Sequence, residues 1–208
     1  MFYCLKNLLL VLISICAFQN TAQPSFGANF DDKYTITIGN KQITPTKNVH
    51  TYATLKKELA NNLHEGYYHV LIQFNDEPDM NLKSQMAGKI INKIAISNNT
   101  YIASVTKNIN TRKLKNLNVR AILALSPEMK IKSAVLESDK EIIKVNIVTS
   151  NNLKEGIVFD QLKKYDTTFE LKFIANSVYK YTYYIEKSKL HEIAELPWVL
   201  QIDEGGMK

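Results

Sequence analysis

The residue types that most often bind metal ions or transfer protons are sparse in this chain of 208 residues. Four histidines are the first candidates: His50, His64, His69 and His191. No two of them have the spacing expected of a metal-ligand pair. His69 alternates outward on a predicted strand and His191 lies on a predicted helix, so we expect both to be solvated surface residues. The histidines therefore indicate neither a metal site nor a catalytic base.

The other chemical motifs are equally uninformative. The sequence has no Gly-x-Ser-x-Gly nucleophile motif, no phosphate-binding glycine loop and no Asp-x-Asp cluster. Adjacent acids occur at Asp31-Asp32 and at Asp203-Glu204, in a predicted loop and near the chain end, where we expect hydrated charges. We therefore predict a protein that is not an enzyme and has no catalytic residue, no metal site and no cofactor.

Residues 1–22 have the pattern of a secretory signal peptide. Lys6 precedes an apolar stretch from Leu8 to Phe18, which is too short for a bilayer span of about 20 residues. We expect cleavage after Ala22, so that Cys4 and Cys16 leave with the signal. The mature chain is then an exported protein, free of the membrane and without any thiol, which excludes a cysteine nucleophile and a thiolate zinc site.

The formal net charge of +6 suggests an anionic partner, but the residue types argue against one. Arg112 and Arg120 are the only arginines, and lysine does not form the planar bidentate contacts that nucleic-acid recognition favours. The run Tyr179–Tyr184 interleaves aromatic residues with lysine, as base-stacking sheets do. Since Tyr179, Tyr181 and Tyr183 share one face with Ile185, we interpret them as core and expect no nucleic-acid partner.

The elements that position these residues begin with a small leader at residues 23–66. Alternation in Tyr34–Ile38, a Gly39-Asn40 turn and a return strand before Pro45 predict a hairpin. Leucines at four-residue spacing within residues 53–65, followed by Gly66, predict a helix with its usual stop.

Two longer segments, residues 67–126 and 142–204, then follow one order: strand, helix, strand, strand, helix, strand. The intervening residues 127–141 form a charged linker that begins with proline. The predicted helix caps are Asp79, Thr111, Asn151 or Asn152, and Ser188. Val119 and Ile122 correspond to Val199 and Ile202 at one constant offset, which we interpret as internal duplication.

The predicted fold class is α+β, with two tandem ferredoxin-like β-α-β-β-α-β units. Each unit has a four-stranded antiparallel sheet with two helices on one face, and the other face stays open. In the second unit, Phe169, Leu171 and Phe173 are expected to face the helices. Strand alternation places these residues on the open face: Lys144, Asn146, Lys172, Ile174, Lys180, Thr182 and Tyr184.

Short stretches along residues 34–204 resemble the duplicated amino-terminal pro-region of secreted bacterial subtilisin-like serine proteases. The similar stretches are Tyr34–Gly39 with Pro45, Tyr68–Phe74, Asn99–Tyr101, Pro127 with Lys130, and Leu196–Asp203. The resemblance implies a folding chaperone and inhibitor whose open sheet face docks on the cognate protease domain. It also implies that Asp203, Glu204, Gly205 and Gly206 continue along the active-site cleft like a substrate.

The protease domain itself, with its catalytic triad, does not follow in this sequence. Residues 205–208 then begin the link to it, and we favour a fragment of a longer precursor over an inhibitor that acts in trans. In either case we expect a secreted monomer. The alternative function is an exported tandem binding or scaffold module with an unrelated protein partner.

Overall fold

A computed structural model describes residues 32–151, 153–165, 167–175 and 178–205. The predicted signal peptide, residues 1–22, lies outside the described residues. Within these ranges the strands are β1 Ile36–Ile38, β2 Lys41–Ile43, β3 Leu63–His64, β4 Tyr67–Phe74, β5 Ile90–Ser97, β6 Thr100–Thr106, β7 Val119–Ala124, β8 Ile142–Ser150, β9 Thr168–Ala175, β10 Val178–Glu186 and β11 Val199–Glu204. The α-helices are α1 Tyr52–Glu58, α2 Met80–Met86, α3 Thr111–Asn116, α4 Pro127–Lys130, α5 Ser133–Glu137, α6 Glu155–Leu162 and α7 Leu190–Glu195. No helix in the described part of the chain is long and apolar enough to cross a bilayer.

The first large sheet is antiparallel and is built around β4. Its neighbours are β6 on one side and both β7 and the short β3 on the other, while β5 pairs with β6 at the far edge. Alternate residues of β4, Val70, Ile72 and Phe74, pack with Met86 and Leu114 of the helices α2 and α3. The sheet therefore buries one face under its two helices, as alternating apolar residues predict.

The second large sheet has the order β11-β8-β10-β9 and is also antiparallel. Its helix-covered core contains Tyr181, Tyr183 and Ile185, with Tyr179 packed against it, so the predicted core role of these tyrosines is confirmed. Trp198 is fully buried and its indole Nε1 donates to Gln161 Oε1 at 2.7 Å. The expected α+β class with antiparallel sheets is thus confirmed.

The two sheets carry a bulge at the same place in their last strand. The register of β7 against β4 shifts at Arg120, and that of β11 against β8 shifts at Leu200. The Arg120 guanidinium lies 4.0 Å from the Tyr34 ring and donates to Gln73 Oε1 at 2.9 Å, whereas Leu200 is fully buried. The residue at the bulge therefore contacts the leader in the first sheet, whereas in the second sheet it packs in a hydrophobic core.

The prediction that the second face of each sheet stays open is wrong over much of its area. Leu71 and Ile102 of the first sheet form one buried cluster with Val148, Val178 and Leu200 of the second sheet. Ile36 and Ile38 of the β1-β2 hairpin complete this inter-sheet core. A helix-free apolar face is stabilised when a second sheet covers it, and here each sheet provides that cover for the other.

The predicted linker, residues 127–141, is a packed connection that contains α4 and α5. Ile131 and Val135 are buried in the core of the second unit, and Lys132 N donates to the Ile202 carbonyl at 2.9 Å. Gly39, at the tip of the hairpin, has φ +59°, and its backbone lies directly against the Glu128 carbonyl. The connector therefore joins the leader to the second unit.

Helix capping follows the predictions only in part. Asp79 Oδ1 accepts from Leu82 N at 2.7 Å, which confirms the first cap. The cap of α3 is Asn110, whose Oδ1 accepts from Lys113 N at 2.9 Å, and the prediction of Thr111 is wrong by one residue. Asn151 and Ser188 are not caps either, since α6 begins after Lys154 and α7 after Lys189, both without a side-chain cap; Asn152 lies outside the described residues.

We expect Gly39→Ala to lower the free energy of unfolding by about 2–4 kcal/mol, because it adds backbone strain and a clash with the Glu128 carbonyl. Gly88→Ala is the matched control, since Gly88 has φ +69° but no atom within 4 Å of the added carbon. It should cost only about 1 kcal/mol. Urea unfolding of both variants measures the difference; equal losses would show that the contact with α4 contributes nothing.

Candidate functional site

Three of the predicted docking residues lie together on the outer face of the second sheet, which is the face away from α6 and α7. Tyr184 is paired with Lys144 across β10 and β8, and the Lys144 Nζ lies 5.6 Å from the Tyr184 ring centre. Lys180 occupies the same face on β10, and the Tyr184 side chain is exposed. Asn146 and Thr182 share this face but are buried. Of the predicted docking residues on this face, Lys144, Lys180 and Tyr184 are therefore the three accessible to a partner, and we call them the outer-face triplet.

The remaining two predicted docking residues, Lys172 and Ile174, lie on the opposite face. The register places Lys172 beside Tyr181 and Ile174 beside Tyr179, on the side of the helices. The cause is a bulge in β9 at Glu170, which reverses the alternation of every residue that follows. Phe173 consequently lies beside Lys180 on the outer face, contrary to the prediction, whereas Phe169 packs on Phe159 as expected.

The lysines of the outer-face triplet are neutralised by neighbouring carboxylates. Lys144 Nζ lies 2.6 Å from Glu170 Oε2, and Lys180 Nζ lies 3.0 Å from Asp203 Oδ2. The hydrogen bond to Glu170 raises the pKa of Lys144. The outer face thus offers an aromatic ring among paired charges, which suits a protein surface better than a polyanion.

The predicted tail residues begin as ordinary strand. Asp203 and Glu204 belong to β11, and Gly205 N donates to the Lys144 carbonyl at 2.9 Å. A side chain on Gly205 would come within 2.7 Å of the Lys144 carbonyl carbon and 2.8 Å of Val145 N. Gly206 lies outside the described residues. Gly205, the residue directly after β11, is therefore in contact with Lys144 of the outer-face triplet.

A buried polar cluster between the sheets is a feature that sequence analysis missed. His69 Nδ1 lies 2.8 Å from Ser104 Oγ, and Asn92 Nδ2 donates to both Ser104 Oγ at 3.1 Å and Ser150 Oγ at 2.6 Å. The bond to Ser150 crosses from the first sheet to the second. His69 is only 1% exposed, so the expectation of a solvated residue is wrong. The outer face that it occupies is covered by the second sheet.

This buried cluster has a structural role in the observed arrangement. Burial, with smaller contributions from the nearby His64 and Lys130, lowers the pKa of His69 to about 3, so the imidazole is neutral at pH 7. A hydroxyl beside a neutral imidazole is the geometry of an activated nucleophile. Ser104 is fully buried, however, and no external substrate reaches it. The pair therefore has a structural role: Ser104 also accepts from Asn92, whose amide donates to Ser150 of the second sheet.

The exposed histidine behaves as expected, whereas Asp203, which was expected to be a hydrated charge, is half-buried and paired with Lys180; Asp31 lies outside the described residues. His191 is exposed and lies 3.1 Å from Glu128 and 3.5 Å from Glu195, as expected of a solvated residue. Among the residues that the structure describes, no group of three or more histidine, cysteine or acidic side chains is arranged to hold a metal ion.

The chain is similar to one protein family over part of its length. The model of a domain of unknown function (DUF8729) matches residues 37–126, which include most of the leader hairpin, α1 and the whole first sheet. No curated protein and no solved structure matches the chain. The family match therefore carries no information on activity.

Proposed function

We propose that the chain is the non-catalytic pro-region of a secreted subtilisin-like serine protease, acting as its folding chaperone and inhibitor. The resemblance in the sequence motivates this proposal, and the contact between Gly205 and Lys144 supports it most directly. If the sheet docks on the protease and the tail enters the nearby cleft, the docking face and the start of the tail must lie next to each other. In the second unit the tail leaves the sheet beside the outer-face triplet.

We also infer that both units are ferredoxin-like and arose by duplication. Each has two helices between four antiparallel strands, with the last strand beside the first and the third on the first strand's other side. The bulges at Arg120 and Leu200 occupy the same place in the two orders of strands. A shared irregularity supports common origin better than a shared order of regular elements does.

The buried residues of the outer face would act by holding the tail in position. Asn146 Nδ2 donates to the Glu204 carbonyl at 2.8 Å, and Thr182 Oγ1 donates to Asn146 Oδ1 at 2.7 Å. These bonds fix the direction in which the chain leaves β11. From there an extended segment gains main-chain hydrogen bonds by adding to a sheet edge of the protease. A protein that binds only the folded protease also stabilises that folded state by mass action.

We expect the purified mature chain to slow peptide hydrolysis by a cognate or related subtilisin-like protease and to form a complex with it. Lys144→Glu combined with Tyr184→Asp should weaken inhibition by at least about tenfold, because it places two carboxylates in the docking surface. Lys163→Glu, on an exposed turn after α6, is the control. If the chain neither slows hydrolysis nor forms a complex with the protease, the proposed function is wrong.

An exported binding or scaffold module is the second candidate function. The inter-sheet core supports it, because part of the outer face of each sheet is already buried against the other sheet and cannot dock on a protease. A surface as small as the outer-face triplet suits a weak or transient partner. Recovery of a non-protease protein from the culture medium, with binding abolished by Tyr184→Asp, would favour this alternative.

A further inference from the structure

A cleft of about 510 Å³ lies between the leader, the end of β7 and the helix α7. Its buried lining residues are Asn62, Leu125, Lys130 and Ala194, while Glu58 and Glu195 are exposed. The Asn62 amide donates to the Leu125 carbonyl at 3.2 Å, so this wall of the cleft is fixed by a buried hydrogen bond. The volume is that of a small-molecule pocket.

Lys130 is the one charged residue among the buried lining residues, and its side chain is poorly satisfied. It is 2% exposed, and within the described residues its ammonium makes one hydrogen bond, from Nζ to the Leu196 carbonyl at 3.0 Å. An ammonium has three N–H donors, so two remain for another acceptor. Burial lowers the pKa of Lys130 to about 8, and Glu195 acts in the opposite direction.

Such a lysine is not explained by the packing of the fold. Lysines in protein surfaces bury the aliphatic stem and keep the ammonium in water. Burying the ammonium without a paired carboxylate costs free energy, and charges retained at that cost occur most often at binding and catalytic sites. The unfilled donors beside a cleft therefore point to an anionic group of a ligand.

The carboxylates restrict which anion fits. Glu58 and Glu195 are exposed on the two sides of the cleft, one at the end of α1 and the other at the end of α7. They repel a ligand that carries only negative charge and attract one that also carries a cation. A buried cation with exposed carboxylates above it is complementary to a ligand with a carboxylate at one end and an ammonium at the other.

We propose that this cleft binds a short peptide with free termini, its carboxylate on Lys130 and its ammonium near Glu58 and Glu195. The proposal does not depend on the docking of the outer-face triplet, which lies elsewhere on the second sheet. A peptide of about three residues has a volume that this cleft accommodates and separates its two charges by its own length.

Isothermal titration calorimetry with triglycine tests the proposal on the full mature chain. Triglycine is expected to bind, and both N-acetyl-triglycine and triglycine amide should bind at least about tenfold more weakly, because each has lost one terminal charge. If triglycine fails to bind, or if amidation leaves its affinity unchanged, the proposal is wrong.

Two variants assign the charges to residues. Lys130→Met keeps the buried stem, and we expect it to remove the preference for the free carboxylate; Glu195→Gln should reduce the preference for the free amino group. Lys132→Met, two residues away and exposed, is the matched control and should bind like the unmodified protein. A melting temperature of Lys130→Met at least as high as that of the unmodified protein verifies that the variant is folded. Retention of carboxylate-dependent binding by this folded variant would overturn the assignment.

Discussion

Lowering the pH from 7 to 4 is expected to reduce the free energy of unfolding by about 3 kcal/mol through His69 alone. The ordinary pKa of histidine is 6.5, and burial between the sheets lowers that of His69 to about 3. Between these values the unfolded chain binds a proton that the folded chain excludes. The contribution of His69 is therefore fully present above pH 6.5 and declines as the pH falls, by about 1.4 kcal/mol per unit.

A second histidine strengthens the loss of stability in acid. His64 and Lys130 are among the causes of the low pKa of His69, and burial also lowers the pKa of His64 itself. The His64 Nε2 is buried and has no hydrogen-bond partner within the described residues. A second histidine that resists protonation in the folded state adds to the loss of stability in acid.

The variant His69→Asn tests the assignment, because the asparagine amide replaces the imidazole Nδ1 that contacts Ser104 but does not titrate. Urea unfolding at several pH values should show a slope between pH 6 and 4 that is smaller by about 1.4 kcal/mol per pH unit. His191→Asn, at an exposed histidine, should keep the original slope. An unchanged slope in His69→Asn would mean that His69 does not govern the acid sensitivity.

Leu71→Asp is expected to cost at least about 4 kcal/mol, because it both opens a cavity in the inter-sheet core and buries a carboxylate without a partner. Leu71 is fully buried; it is paired with Ile102 in the first sheet, and both pack in the inter-sheet core. Since this core joins the two units, we expect the variant to separate them while the helix-side cores persist. Two unfolding transitions should replace one.

Leu63→Asp is the matched control, with the same change at a leucine that is 38% exposed on β3 of the same sheet. It should cost less than about 1 kcal/mol. Small-angle scattering provides the second measurement, since separated units have a larger radius of gyration than packed ones. If Leu71→Asp remains as compact and as stable as Leu63→Asp, the inter-sheet core does not hold the units together.

Local periodicity predicted the strands and the helix-side core but not what covers the outer faces. Alternation identifies two faces of a strand, and it correctly placed Tyr181 and Tyr183 toward the helices. The outer face of β4 carries His69, Leu71 and Gln73, a mixture that is typical of a half-solvated sheet. The available signal that both faces are buried was the consecutive apolar residues Val70, Leu71 and Ile72, which do not alternate with polar ones.

The misplaced docking residues have a different physical cause. Alternation extrapolates from one end of a strand to the other, and one extra residue at Glu170 is enough to exchange the two faces. Neither Glu170 nor its neighbours has a residue type that marks a bulge, such as glycine. The position of Lys130 is similarly unpredictable, because it becomes buried only when α4 packs against α7 and β11.

The two equivalent bulges carry different residue types, Arg120 in the first sheet and Leu200 in the second. At equivalent positions one sheet presents the arginine that holds Tyr34, and the other presents the leucine that fills the space between the sheets. An arginine cannot enter that apolar space without stranding its charge, and a leucine cannot hold the aromatic ring by charge. We therefore expect each sheet to pack less well against a second copy of itself than against the other sheet. At high protein concentration this difference in residue type should favour packing within one molecule over packing between like sheets of neighbouring molecules.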